Sequence, residues 1–182
     1  MNAPSQPEPP SDAQLVARWQ AGDEAAAREL VRRHTRPLAR YLSGLGTPEA
    51  DLDDVVQETL IKAFSAISSW RGEASFRGWL YRIGANLSRD LYRKSGRRQM
   101  VELPERELMD RADPVGELEA SEADRRIQEG LADLPRMQRE VFLLRAQQGM
   151  DYAEIAAALK TTPGSARVHY HHAVKHLKGI LS

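Results

Sequence analysis

A chain of 182 residues, 29% charged and 41% hydrophobic, has room for one or two small globular domains. It contains no cysteine, which excludes disulfides, zinc fingers and thiol nucleophiles. The net charge of zero conceals segregation: residues 11–100 carry 15 Lys and Arg against 11 Asp and Glu, residues 101–134 carry 4 against 11, and residues 135–182 carry 7 against 3. Two basic bodies joined by an acidic connector suit two contacts with a polyanion and a strap that avoids it.

The first ten residues hold four prolines and no apolar core, so residues 1–11 read as a disordered lead-in and not as a signal peptide. No apolar run approaches the roughly 20 residues that cross a bilayer, and the expectation is a cytoplasmic protein without membrane insertion. Strand alternation is almost absent while the 3.6-residue period recurs throughout. The expected fold is all-α: two small helical domains, at 12–95 and 114–182, joined by a flexible acidic linker at 96–113. Helices are predicted at 12–20, 24–43, 49–67 and 75–94 in the first body. Gly22-Asp23, Leu42-Ser43-Gly44 and Trp70-Arg71-Gly72 punctuate them. Gly44-Leu45-Gly46 is too short and misplaced for a phosphate loop, and a helix C-cap accounts for it.

In the third helix Leu52, Val55, Val56, Leu60, Ala63 and Ile67 form an apolar stripe, and Asp51, Asp54 and Glu58 stack at i, i+3 and i+7 on another face. Asp53 and Gln57 lie to one side, with Lys62 a turn beyond Glu58. Nothing apolar surrounds these carboxylates to shift a pKa, and no nucleophile or metal partner is near, so acid–base catalysis is disfavoured. Two readings stay open at this point: a solvated face with acids near the helix N-terminus, or a docking surface for a basic helix.

The fourth helix has the opposite character. Phe76, Leu80, Ile83, Leu87 and Leu91 make its core stripe, while Arg82, Asn86, Arg89 and Arg93 line up at i, i+4, i+7 and i+11. From Arg71 to Arg98 there are eight basic residues and two acids. A basic stripe with Trp70, Trp79 and Tyr81 is what single-strand binding needs, because cations neutralise phosphates and flat rings receive unstacked bases. Trp79 adjoins the apolar stripe and suits core as well as contact, whereas Trp70 precedes an Arg-Gly-Glu loop. Ser95-Gly96, Pro104 and Asp113-Pro114 then mark the linker.

In the second body, helices are predicted at 114–131, 135–148, 152–160 and 163–180. The last three form a helix-turn-helix with a supporting helix in front. Asp151 caps the helix whose apolar face is Tyr152, Ile155, Ala156 and Leu159. After the Lys160-Thr161 turn, Thr162 supplies the next N-cap and Pro163 occupies the first helical position. Ala166, Tyr170, Ala173 and Leu177 face the core, while Arg167, His171, Lys175 and Lys178 point elsewhere. No acid occurs from Pro163 to the end, and such a helix suits a DNA major groove. His169, His172 and His176 share a flank at i, i+3 and i+7, a spacing open to metal binding or pH sensing, but no carboxylate adjoins them, and polar packing or DNA contact is the default.

These residues converge on a family. Asp51-Leu52-Asp53-Asp54-Val55-Val56-Gln57-Glu58-Thr59 resembles the D-x-x-D-L-V-Q-E-T signature of region 2 of sigma-70 factors. Phe76-Arg77-Gly78-Trp79-Leu80-Tyr81-Arg82-Ile83, with Asn86 and Asp90, is similar to its continuation. Leu134-Pro135, Arg139-Glu140-Val141-Phe142 and Tyr152-Ala153-Glu154-Ile155-Ala156 resemble region 4. The match runs in order from Asp12 over nearly the whole chain, and its brevity is similar to the extracytoplasmic-function (ECF) group.

The resemblance implies an alternative sigma factor, a non-catalytic subunit without cofactors or metal, that binds core RNA polymerase and directs promoter recognition, melting and initiation. Asp51, Asp54, Gln57 and Glu58 would dock on the coiled coil of the largest polymerase subunit. Trp70, Arg71, Ser75, Trp79, Arg82, Asn86, Arg89 and Arg93 would open and hold the −10 element as single strand. Thr162, Ser165, Arg167, Val168, His171 and Lys175 would read the −35 duplex, with region 4 touching the polymerase flap. An anti-sigma factor is a usual partner in the family. Two departures stand out: the last helix has fewer arginines than is common, and Lys160 stands where a glycine is frequent in the turn. The alternatives are a repressor or response regulator using the same helix-turn-helix, which would need a ligand-binding or α/β receiver body. A helical metal enzyme would need Asp51, Asp54 and Glu58 or the histidines to converge in one pocket.

Overall fold

The computed structural model describes residues 9–72, 74–99 and 122–181. Most of the expected lead-in (residues 1–8), linker residues 100–113 and the start of the helix expected at 114 lie outside the described residues. The described residues form eight α-helices and no strand: α1 (Asp12–Gln20), α2 (Glu24–Gly44), α3 (Glu49–Ser65), α4 (Phe76–Gln99), α5 (Glu122–Asp133), α6 (Arg136–Phe142), α7 (Tyr152–Leu159) and α8 (Pro163–Leu181).

Local chemistry sets many of these boundaries. Ser11 and Gln14 close a capping box on α1, with Gln14 Oε1 accepting from the Ser11 N–H at 2.8 Å. Asp23 accepts from the Ala25 and Ala26 N–H groups to start α2. At the other end of α2, Gly46 takes φ +93°, which lets the Thr47 N–H return to the Leu42 carbonyl at 3.1 Å. That is the C-cap expected from Gly44-Leu45-Gly46.

Leu30, Leu38, Tyr41 and Leu42 of α2 form the centre of the first body, buried against Leu15 and Val16 of α1, Val55, Val56 and Ala63 of α3, and Leu80 and Ala85 of α4. Gly84 permits the close approach: a Cβ there would stand 3.2 Å from Leu38 Cδ1 and Leu42 Cδ2. His34 Nε2 lies 2.8 Å from Asp12 Oδ2 and ties α1 to α2. Partial burial pushes the Asp12 carboxyl up, but hydrogen bonds and charge from His34 and Arg33 outweigh it and hold it below the ordinary aspartate value.

Two helices differ from expectation by more than a residue or two at their ends. α4 runs on to Gln99, past the end expected at residue 94, because a Ser and a Gly in a long helix cost only about 1 kcal/mol. The helix expected over 135–148 becomes α6 followed by a π-helical turn, Leu143–Gln147. There the Gln148 N–H reaches back five residues to the Leu143 carbonyl at 3.3 Å. Leu143 and Leu144, adjacent in sequence, are both fully buried in this wider turn. Hydrophobic periodicity over one turn does not separate the two helix types.

The larger difference is how the bodies meet. Their apolar interiors form one continuous cluster, with α4 against α7 and α2 against the π-helical turn. A Cβ on Gly44 of α2 would come within 2.7 Å of Leu143 Cδ2.

Candidate functional site

The acidic residues of α3 divide by exposure. Asp54, Gln57 and Glu58 are exposed and Asp51 is half-buried, while Val55, Val56 and Thr59 turn inward. Glu58 pairs with Lys62 at 2.9 Å in an i,i+4 ion pair open to solvent on both sides, which contributes little to folding. Ile61 continues the same stripe and is 58% exposed. It lies outside the apolar core stripe, among the acids, so a reading that seeks apolar residues only along that stripe passes over it. An exposed isoleucine beside three exposed polar side chains gives the face an apolar anchor with a charged rim.

The residues expected to receive single-stranded DNA fall into two groups. Trp70, Arg71, Trp79 and Arg82, with Ser69 and Ala74, line one cleft of about 340 Å³. Trp70 donates its indole N–H to the Ala74 carbonyl at 3.1 Å, so the ring folds the loop over the start of α4. Ser75 Oγ accepts from the Gly78 N–H and caps α4. Of the two readings open for Trp79, core and contact, its burial favours the core. It is only 9% exposed, packs against Phe76 and belongs to the core, presenting no more than an edge to the cleft. Asn86, Arg89 and Arg93 lie farther along α4, where Asn86 accepts from Arg89 and Arg93 pairs with Asp90 at 3.1 Å. Arg89 also reaches Glu140 of α6 at 3.5 Å. Burial pushes the Glu140 carboxyl up, and the opposing charges of Arg136, Arg89 and Arg139 do not bring it back to the usual range.

On the second body the caps are as expected. Asp151 and Glu154 close a capping box on α7, and Thr162 Oγ1 accepts from the Ser165 N–H at 3.1 Å to start α8. Ala166, Ala173 and Leu177 are buried, and Tyr170 is half-buried against Phe142 and Tyr152. Arg167, Val168, His171 and Lys175 are exposed along α8, Val168 at 54%. Arg167 sits 5.3 Å over the Tyr152 ring, which steadies its guanidinium near the helix start. Lys160 in the turn adopts a left-handed backbone, φ 54° and ψ 50°, a conformation costing roughly 1–2 kcal/mol for a residue other than glycine. Among the described residues no three His, Asp or Glu side chains converge as a metal site, and no helix is long and apolar enough to cross a membrane.

Sequence reasoning also missed the polar contacts between the bodies. The Arg77 guanidinium donates to Glu154 Oε2 at 2.6 Å, to Glu154 Oε1 at 3.2 Å and to the Gln148 carbonyl at 3.1 Å. Tyr81 OH donates to Gln148 Oε1 at 2.8 Å, and the Gln148 amide donates to the Pro37 carbonyl at 3.3 Å. Burial pushes the Tyr81 hydroxyl up to about 12, so it stays protonated and donating. Partial burial raises the Glu154 carboxyl, but the hydrogen bonds from Arg77, the Asp151 N–H and Ser75 more than reverse this and leave it below the ordinary value.

Comparison with known proteins places this geometry. Residues 30–98 match the Sigma-70 region 2 family and residues 124–177 match Sigma-70 region 4. The RNA polymerase sigma factor NccH of Alcaligenes xylosoxydans xylosoxydans is 36% identical over 160 residues, covering 85% of this chain and 86% of that one. The ECF RNA polymerase sigma-E factor of Escherichia coli is 34% identical over 167 residues, covering 86% and 87%. The solved structure of CnrH in complex with the cytosolic domain of CnrY aligns with TM-score 0.70 at 31% identity, covering 93% of this chain and 96% of CnrH. With both regions matched in order, the alternative of a regulator acting outside the polymerase is not favoured. The chain belongs to the ECF group of the sigma-70 family and is an alternative sigma factor, a subunit that binds core RNA polymerase and directs transcription initiation.

Proposed function

We propose that the two bodies divide this work between three surfaces. Asp51, Asp54, Gln57 and Glu58 on α3, with Ile61 as apolar anchor, dock on a basic helix of the largest polymerase subunit's coiled coil. The cleft of Trp70, Arg71, Trp79 and Arg82 receives one unpaired base of the −10 element, while Ser75 shapes its rim. Asn86, Arg89 and Arg93 follow the strand's phosphates along α4. The start of α8 enters the major groove at the −35 element through Thr162, Ser165, Arg167, Val168, His171 and Lys175, with the second body against the polymerase flap. The observation that carries this reading is the division of charge on one small body: an exposed acidic stripe on α3, and two arginines with two indoles around the cleft.

Such a subunit acts in the cytoplasm, where the polymerase is, and performs no catalysis itself. The complex of its relative CnrH with the cytosolic domain of CnrY supports a holding partner of anti-sigma type for this chain too.

Binding of holoenzyme to promoter duplexes over a salt series tests the α8 assignments. Arg167→Ala and Lys175→Ala should each lower the slope of log K against log salt by about 1, on every duplex alike, as loss of one phosphate contact requires. Val168→Ala should instead weaken binding by about 1 kcal/mol only where a thymine methyl meets the isopropyl group. Uracil at that position should reproduce the loss. Unchanged slopes in both basic variants would remove α8 from the DNA interface.

A further inference from the structure

The end of α2, the middle of α4 and α6 enclose a pocket of about 380 Å³, within the roughly 300–1,000 Å³ of small-ligand sites. Leu45, Ala85 and Tyr92 supply apolar wall, and Arg89, Arg136, Arg139 and Glu140 are its charged groups. Of these residues only Arg89 belongs to the three surfaces assigned above.

The charges of this pocket do not satisfy one another. Glu140 is 4% exposed, yet its Oε1 stands 3.5 Å from the Arg89 guanidinium and 3.6 Å from that of Arg136. A charge-assisted N–H···O bond closes to about 2.7–2.9 Å. Arg139 directs its Nη groups to the Leu45, Ala132 and Leu134 carbonyls, and its buried Nε has no partner among the described residues. Three guanidinium groups against one carboxylate leave a surplus of two positive charges. A buried carboxylate held by two long contacts is costly unless further donors reach it. A ligand that completes the pocket therefore brings N–H donors to Glu140 and negative charge to the arginines.

A guanine nucleotide carries both. The Watson–Crick edge of guanine sets N1–H and the N2 amino group side by side, two parallel donors for one carboxylate. Adenine and cytosine place a ring-nitrogen acceptor beside their amino donor, and a carboxylate repels that acceptor. The exposed Tyr92 ring, whose hydroxyl donates to the Gly46 carbonyl, supplies an aromatic surface for stacking. The exposed Arg136 guanidinium suits a phosphate, which such planar forks bind with two parallel bonds.

We propose that this pocket binds a free guanine nucleotide: Glu140 accepts from N1–H and the N2 amino group, Tyr92 stacks on the base, and Arg136 with Arg89 holds the phosphates. The site goes beyond the promoter reading and does not depend on it.

Calorimetric titration of the full chain with GDP reads the proposal directly. GDP should bind one to one and at least about tenfold more tightly than ADP, because a site built to receive donors rejects a base that lacks them. Inosine diphosphate lacks only the N2 amino group and should bind about tenfold more weakly than GDP, the effect of one hydrogen bond to a charged acceptor. Inorganic pyrophosphate, with no base, should be weaker than either.

Arg136→Ala should weaken GDP binding about tenfold, and Tyr92→Leu at least about fivefold. Both side chains are exposed, and a thermal melt checks that each variant folds. Arg89 is left intact, because the strand phosphates share it. Glu140→Gln should bring GDP down to the ADP level, since its amide sets a donor against a donor. If that variant does not fold, the inosine diphosphate comparison in the parent chain decides the same point. GDP bound no more tightly than ADP or inosine diphosphate, GDP affinity unchanged in Arg136→Ala, or no binding at about 1 mM GDP each overturns the proposal. None of these results bears on initiation at promoter fragments, so the sigma assignment stands or falls separately.

Discussion

Reversing charge at two positions of α3, Asp54→Arg with Glu58→Arg, is expected to lower affinity for core polymerase by at least about hundredfold and to leave folding unchanged. Both side chains are exposed, and the single ion pair of Glu58, with Lys62, is itself exposed, so their removal takes little from the fold. On the polymerase side the change is severe, because each like-charge juxtaposition in an interface costs several kcal/mol and about 1.4 kcal/mol is a factor of ten. Competition against labelled parent protein for core measures this. Duplex binding by α8 in the same variant should match the parent, since that helix lies on the other body. Joint loss of core binding and duplex binding would make the acidic face a structural element.

The second large effect separates two tryptophans that look alike in sequence. Trp79→Ala should cost about 3–5 kcal/mol of folding stability, the usual penalty for emptying a buried aromatic site, because its ring is 9% exposed and packs on Phe76. That is a large share of the roughly 5–15 kcal/mol by which a domain is stable. Trp70 is only partly buried and anchors its loop through one hydrogen bond, to the Ala74 carbonyl, so Trp70→Ala should cost about 1–2 kcal/mol and mainly weaken single-strand binding. Urea unfolding and strand titration of both variants distinguish them. Equal destabilisation, with strand binding intact in Trp70→Ala, would contradict the assignment of the cleft.

What could be read beforehand was what depends on near neighbours. The caps at Asp151 and Thr162, the C-cap after Gly44 and the inward stripe of Ala166, Tyr170, Ala173 and Leu177 all follow from spacings of three and four residues. The acidic face of α3 was legible as a pattern, and its meaning came from the family resemblance.

What stayed hidden was non-local. Arg77 and Glu154 are 77 positions apart, and Tyr81 and Gln148 are 67 apart, so no periodicity links them. α4 looked like a helix with one buried stripe. It is covered by the first body and by α7, which is why Trp79 and Tyr81, the latter 2% exposed, are both interior. The π-helical turn at Leu143–Gln147 and the left-handed Lys160 are local features that residue type does not announce.

Promoter-specific initiation by core polymerase should depend on this chain and, within it, on Asp54 and Glu58. Run-off transcription from genomic promoter fragments, with purified core alone, with core and the parent chain, and with core and the Asp54→Arg, Glu58→Arg variant, tests it most directly. Discrete transcripts are expected with the parent chain only. No chain-dependent transcript on any fragment, or full activity in the variant, would contradict it.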